Sequence, residues 1–404
     1  MIKYGALLMA ALLADSTAQA ADLPGQRFSV SPASLARPYA TPAVANDSKV
    51  EARRPSGALP KAPDGFTVAV FAGDLPHARW MTVAPNGDVF LAESDAGKVI
   101  ALRPSSDGAH AERISTFASG FDRPHGLAVH NGHLYVADVK SLWRLPYSDG
   151  ALSASGKRVR VAETTPSQGP GHFTRDIVFD SKGTLYLTIG SRNNVREEPL
   201  PYASVQIISS DGSLSTFASG LRNPVGIAFY PGTNDLYVTV NERDGLGDDL
   251  PPDYLTRIQK GDFFGWPYAY IGKHPDPDYG KKRPDLVAKT KTPDTLFHAH
   301  SAPLGLVFYD GNQFPSNYRG DAFVSLHGSW NDAHPTGYKV VRVKFANGRP
   351  ENAYENFLTG FWDGVSSPAR VWGRPAGLVV AKDGSLLIAD DVSNTVWRVA
   401  YKAK

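Results

Sequence analysis

The chain has 404 residues, 42% of them hydrophobic and 20% charged, which is enough apolar material to bury a large core. Its 42 Lys and Arg against 40 Asp and Glu leave a net +2, too even a balance for a nucleic-acid-binding surface. The absence of cysteine excludes disulfides, thiolate metal sites and a lipoprotein anchor, while 38 Gly and 31 Pro fit a loop-rich β protein.

Residues 1–20 have the form of a signal peptide. Lys3 supplies the positive start, an apolar stretch follows, and Ala18-Gln19-Ala20 is a small-residue cleavage site. This predicts export to the periplasm. The apolar run is too short for a bilayer span, and no later segment qualifies. A Pro/Ala/Ser-rich stretch over residues 21–60 is expected to be a flexible tether. Residues 61–404 are then the working domain.

One pattern recurs six times in that domain, over residues 81–92, 126–137, 177–188, 226–239, 305–325 and 377–389. Each copy is a short β-type run, commonly opening on Gly, then a Gly- or Asn-containing turn, then a Leu/Phe-Tyr/Phe-Val-Ala-like run. A period of roughly 45–50 residues is the signature of a β-propeller. Six copies predict an all-β, six-bladed β-propeller. Phe-Ala-Ser-Gly precedes two copies, at Phe117 and Phe217, and looks like the outer strand of the preceding blade. Phe71-Ala72-Gly73 repeats the signature ahead of the first copy, and residues 395–399 give the last blade only a third strand. Residues 67–71 are therefore expected to close the ring as the outer strand of blade six, leaving no open sheet edge.

Strand direction then says where chemistry can sit. The first run of each blade lies nearest the axis and the second returns antiparallel, so residues just before run one and just after run two emerge at the same mouth. Before run one stand Arg79-Trp80, Arg123-Pro124-His125, His172, Asp176, Arg222-Asn223, Ser301-Ala302-Pro303 and Arg374. After run two stand Glu93, Asp138, residues 191–194, residues 241–245, residues 327–331 and Asp390-Asp391. A mouth rich in Arg and His suits a multiply anionic ligand, because planar guanidinium groups grip carboxylates in pairs. Any one Arg could equally serve a turn or an inter-blade contact. For Glu93, Asp138 and Asp390-Asp391, which recur at one blade position, a structural role is expected. His172 lies beside Gly169-Pro170-Gly171, where backbone could approach a ligand closely, and a neutral histidine there is a candidate general base.

The Gly-His-x-x-Arg-Asp run at His172, the Leu-Arg-Asn-Pro-Val-Gly run at 221–226, the Asn-Glu-Arg-Asp-Gly run opening residues 241–254, Gly265-Trp266-Pro267-Tyr268 and His327-Gly328-Ser329-Trp330-Asn331 together resemble the glucose/sorbosone dehydrogenase family. The wording is nearest to its L-sorbosone dehydrogenase-like branch, and the likeness runs over about residues 65 to 400. The resemblance implies a quinoprotein that uses pyrroloquinoline quinone (PQQ) with calcium to oxidise an aldose or sugar aldehyde, with the electron acceptor left open. It assigns His172 as the catalytic base and Arg222-Asn223 as a cofactor pair, with Arg222 near the reacting carbonyl. Arg243, His327 and Arg374 fall at further cofactor positions, and Asp244 and Gly245 at calcium-binding backbone carbonyls. Gly171 and Ser191 stand where better-known members carry Asp, so the carboxylate orienting His172 must come from elsewhere, with Asp176 a candidate. Two alternatives are a metal-dependent sugar lactonase propeller and a non-catalytic NHL-type binding propeller. The first needs inward carboxylates where this chain has His and Arg. The second leaves the mouth and a long insertion over residues 251–300 without purpose.

Overall fold

The computed structural model describes residues 22–51, 54–55, 57–165 and 171–402, so the expected signal peptide and Gly169-Pro170 lie outside the described residues. Six antiparallel sheets of four principal strands form the blades. Their inner strands are Ala78–Val83, Leu127–His130, Ile177–Phe179, Asn223–Phe229, Pro303–Phe308 and Pro375–Val380. These contact one another in sequence order around the axis, the last packing against the first. All six coincide with the first runs of the repeat. Phe117 and Phe217 lie in the outer strands of blades one and three, Ala111–Ser119 and Leu214–Ser219.

The repeated Gly of run one has a steric reason. A Cβ on Gly126, Gly226, Gly305 or Gly377 would come closer than 3 Å to backbone of the next inner strand, where the wedge-shaped blades converge. Only glycine permits that approach.

The ring closes as the repeat predicts. Strand Phe66–Ala72 pairs antiparallel with the chain's last strand, Thr395–Tyr401, in a register running from Phe66 opposite Tyr401 to Ala72 opposite Val396. Phe66 is held edge-on by Phe314, Tyr318, Phe357 and Tyr401, and Phe71 is buried. Burying an aromatic side chain contributes about 1.5–3 kcal/mol, so the closing strand is anchored by its side chains as well as its ladder.

Two expectations change. Residues 22–51 run as an ordered arm against the propeller and not as a loose tether. Arg27–Phe28 adds a fifth strand to blade five, and Lys49–Val50 pairs in parallel with Arg370–Val371. Backbone donors and acceptors along this Pro-rich stretch find partners on the blades, which composition alone does not disclose. The 251–300 segment is likewise not one insertion. Pro252–Ile258 and Thr295–Ala299 are the third and fourth strands of blade four, and only the stretch between them is extra.

Candidate active site

A cavity of about 490 Å³ opens at the mouth where inner strands begin and second strands end. Arg79, His172, Thr174, Arg222, Asn223, His300 and Arg374 reach it from the inner-strand side; Asn241, Glu242, Asp244, His327, Trp330 and Asn331 reach it from the second-strand side. The antiparallel blade thus brings together residues up to about three hundred positions apart. Of the residues expected there, His172, Arg222, Asn223, His327, Arg374 and Asp244 line the cavity, whereas Arg243 and Gly245 do not.

His172 is fixed by its own blade. Its Nδ1 donates to the Ser191 carbonyl at 2.7 Å, with the Ser191 hydroxyl at 3.3 Å. That bond sets the tautomer and leaves Nε2 as an unprotonated acceptor without a partner among the described residues. Burial, helped by the Arg222 charge, pushes the imidazole down to about 3, so it is neutral at working pH. The orienting group is therefore a backbone carbonyl and not a carboxylate. Asp176 is occupied elsewhere, accepting from the Trp80 indole (2.8 Å), the Ile177 amide (2.9 Å) and the Ile227 amide (3.1 Å). It ties three blades together, and burial pushes it up to about 7.

Gly190 makes the His172–Asn223 arrangement possible. A Cβ there would stand 2.7 Å from the His172 Cβ and nearer still to the Asn223 Oδ1. Arg222 is buried and donates to the carbonyls of Asn194 (3.0 Å) and Glu242 (2.7 Å), to the Asn194 side chain (3.0 Å) and to the Asp244 carboxylate (3.1 Å). Arg374, which lines the cavity, donates through Nε and Nη2 to the carbonyls of His327 (2.9 Å) and Gly328 (2.6 Å), and its Nη1 has no hydrogen-bond partner among the described residues. His327 Nε2 lies 3.0 Å from both Asp391 carboxylate oxygens, and Arg79, 3.2 Å from the same ring nitrogen, donates to that carboxylate as well. Despite burial, His327 and Arg79 keep Asp391 far below the usual carboxylate range. Burial pushes His327 itself down to about 3, so it enters the cavity as a neutral ring.

Arg243 departs from expectation. Its guanidinium turns onto Asp276 at 2.5 Å, and its Nε donates to the Asp244 carbonyl at 3.1 Å, bracing the loop from outside. The Asp244 carbonyl also accepts from Asn194 at 3.0 Å, so it is not open to a metal. The Gly245 carbonyl accepts no hydrogen bond among the described residues. Asp244 contributes its carboxylate instead: although burial opposes it, contacts with His300, Arg222 and Asn331 hold it below its ordinary range. The buried Glu242 beside it has an Oε1 with no partner among the described residues, and burial pushes its carboxyl up to about 8. Among the described residues no group of three or more His, Cys, Asp or Glu side chains is arranged to hold a metal.

The site residues assigned from the sequence omitted Arg79, Glu242, His300 and Asn331, which also line the cavity. Arg79 carried a usable signal, since it holds the same pre-strand position as Arg222 and Arg374. Asn331 lay inside a quoted motif. His300 donates to the Gly247 carbonyl at 3.0 Å and lies 3.0 Å from the Asn331 amide nitrogen, which also donates to Asp244 (2.8 Å), a network between blades that sequence does not show. Two of the recurrent carboxylates have structural partners inside their own blades. Asp138 and Asp390 each accept the indole N–H of a tryptophan in the third strand of their own blade, at 2.8 and 3.0 Å.

A family model described as Glucose / Sorbosone dehydrogenase matches residues 136–329, one described as TrAA12-like matches residues 278–402, and an NHL-repeat model matches residues 121–142. An uncharacterized protein of Borreliella burgdorferi is 30% identical over 357 residues, 85% of this chain and 91% of that protein. The pyrroloquinoline quinone-dependent pyranose dehydrogenase of Coprinopsis cinerea is 24% identical over 407 residues, covering 83% of this chain and 53% of the enzyme, so the chain spans about half of that relative. Among solved structures, the holo PQQ domain of the Coprinopsis enzyme superposes with a TM-score of 0.73 at 21% identity, covering 87% of this chain and all of that domain. The soluble aldose sugar dehydrogenase of Escherichia coli gives 0.61 at 17% identity, covering 83% of this chain and all of that one. With six blades, a neutral histidine facing buried arginines at the ring's mouth, and these similarities, the chain belongs to the glucose/sorbosone dehydrogenase family.

Proposed function

We propose that this chain oxidises an aldose or sugar aldehyde with PQQ as its cofactor and His172 as the base that takes the hydroxyl proton. One observation carries the reading: a neutral imidazole whose Nε2 has no partner among the described residues shares a single cavity with the guanidinium groups of the buried Arg79 and Arg222 and the half-buried Arg374. The residues fit a polycarboxylate quinone. Arg374 lines the cavity with donor capacity to spare, the buried Nε of Arg79 has no partner among the described residues, and Asn223 adds an amide. Buried cations have been desolvated already, so charge-assisted bonds to an anion are strong there. When bound, the quinone supplies the two-electron acceptor for hydride.

The protein's share is binding, orientation and proton transfer. Ser191 aims the imidazole, and Arg222 lies where negative charge on a neighbouring oxygen would be stabilised. An anion held by Arg374 beside Arg222 also offsets the guanidinium charge that depresses His172, bringing its proton affinity closer to that of a working base. Calcium belongs to the same proposal. The Gly245 carbonyl, the Asp244 carboxylate and the orphaned Glu242 oxygen are hard oxygen donors of the kind that ion takes, and it would act as a Lewis acid. No helix among the described residues is long and apolar enough to cross a membrane; export to the periplasm rests on the residue 1–20 leader.

The test is reconstitution. Purified protein given PQQ and calcium together should reduce a redox dye when an aldose is added, and chelator should abolish this. Activity undiminished with neither added would overturn the proposal.

A further inference from the structure

The chain has seven tryptophans, and six are engaged. The indole N–H groups of Trp80, Trp143, Trp266 and Trp397 donate to Asp176, Asp138, the Asn194 carbonyl and Asp390. Trp362 packs on Tyr338, and Trp372 on Phe361 and Trp397. Trp330 alone has neither an indole hydrogen bond nor a ring partner among the described residues. It is 48% exposed, and it lines the cavity that holds His172.

Its backbone is nonetheless tightly held. The Trp330 carbonyl accepts from the Asn46 amide at 2.7 Å, and the Asn46 side chain donates to the Asp332 carbonyl at 2.7 Å. Next in the chain, Asn331 is fixed to Asp244, and on the other side the Gly328 carbonyl is held by Arg374. The same arm also binds the loop after Asp244: the Tyr39 amide donates to the Leu246 carbonyl at 2.6 Å, and the Thr41 hydroxyl accepts from the Asp248 amide at 2.9 Å. An idle indole is thus presented at the mouth of a polar cavity by a backbone fastened on both sides.

We propose that Trp330 is the substrate-recognition wall of the cavity, packing its indole against the C–H face of a sugar in ring form, and that Asn46 of the arm positions it. The ligand's being a sugar rests on the function proposed above. A cyclic sugar presents a flat patch of C–H bonds with hydroxyls at its edge, which matches an aromatic face surrounded by polar groups. A short open-chain aldehyde has no such face. The substrate class is therefore cyclic aldoses.

Trp330→Ala in reconstituted protein should raise KM for aldopyranoses about tenfold, the scale of one lost aromatic stacking contact, and leave quinone affinity unchanged. Trp330→Phe should restore part of the difference. Asn46→Ala should raise the same KM with kcat retained; a lowered melting temperature with KM unmoved would show that the arm is only structural. Binding is also read without turnover, from the Trp330 indole N–H signal in NMR, identified by its loss in Trp330→Phe. Titrated aldopyranose should shift that signal and leave the six engaged indoles nearly unmoved. A shift in protein that oxidises no sugar would leave the wall standing and overturn the dehydrogenase reading. An unmoved signal, or an unchanged aldopyranose KM in Trp330→Ala, overturns this proposal.

Discussion

Gly190→Ala is the smallest change that should disable the site. Gly190 follows the second strand of blade three, Leu185–Ile189, and its φ lies outside the left-handed region, so an alanine meets no backbone penalty there. The conflict is purely steric. The new carbon would stand 2.7 Å from the His172 Cβ and closer to the Asn223 Oδ1, against an ordinary carbon contact of about 3.5–4.0 Å. Relief requires His172 or Asn223 to move by about 1 Å. His172 is tethered to the Ser191 carbonyl at 2.7 Å, and Asn223 opens an inner strand, so neither yields freely. Overpacking of this size costs about 1–3 kcal/mol of stability, and a 1 Å misplacement of a catalytic group costs on the order of 10²-fold in rate. The assay is turnover of reconstituted enzyme at saturating quinone, beside a melting curve. Turnover should fall on the order of 10²-fold in protein that still melts cooperatively. Near-normal turnover would show that His172 and Asn223 are not held where the mechanism needs them.

His172→Gln should lower turnover by about 10²-fold or more, the usual scale for a general base, with quinone affinity little changed; retained turnover in fully reconstituted protein would remove His172 from that role. In quinone-free protein the His172 ring should stay neutral from pH 8 to pH 5 by NMR, since its pKa is pushed down to about 3, and it should begin to titrate upward once quinone is bound. The same depression affects stability: between about 6.5 and 3 the unfolded chain binds a proton that the fold does not, so the penalty grows as pH falls through that window. At pH 5 this amounts to at most about 2 kcal/mol, because His172 keeps some solvent exposure, and urea unfolding should find the wild type losing more than His172→Gln between pH 7 and pH 5. Deleting the described chain through Gly73 removes the closing strand Phe66–Ala72 and should expose the edge of blade six and cause aggregation; a soluble, cooperatively melting product would show that the ring closes otherwise.

Much of this was legible in the residues. The period of the repeat, the two runs per copy and the orphaned Phe71-Ala72-Gly73 signature gave six blades and their closure, because strand alternation and turn chemistry are local properties. The same periodicity placed Arg79, His172, Arg222, His327 and Arg374 at one mouth, since antiparallel geometry fixes which ends of the runs share a side. What each side chain does there depended on neighbours from other blades. Nothing local says that Arg243 turns outward to Asp276, that Asp176 is consumed by Trp80 and two amides, or that a carbonyl replaces the carboxylate behind His172. The arm is the plainest case. Its composition is that of a linker, and only partners some two hundred to three hundred residues further on, the carbonyls of Leu246 and Trp330 and the amide and carboxylate of Asp248 among them, give residues 39 to 46 a defined path. Sequence determined where the polar groups would gather, and tertiary packing decided which of them remained free to bind.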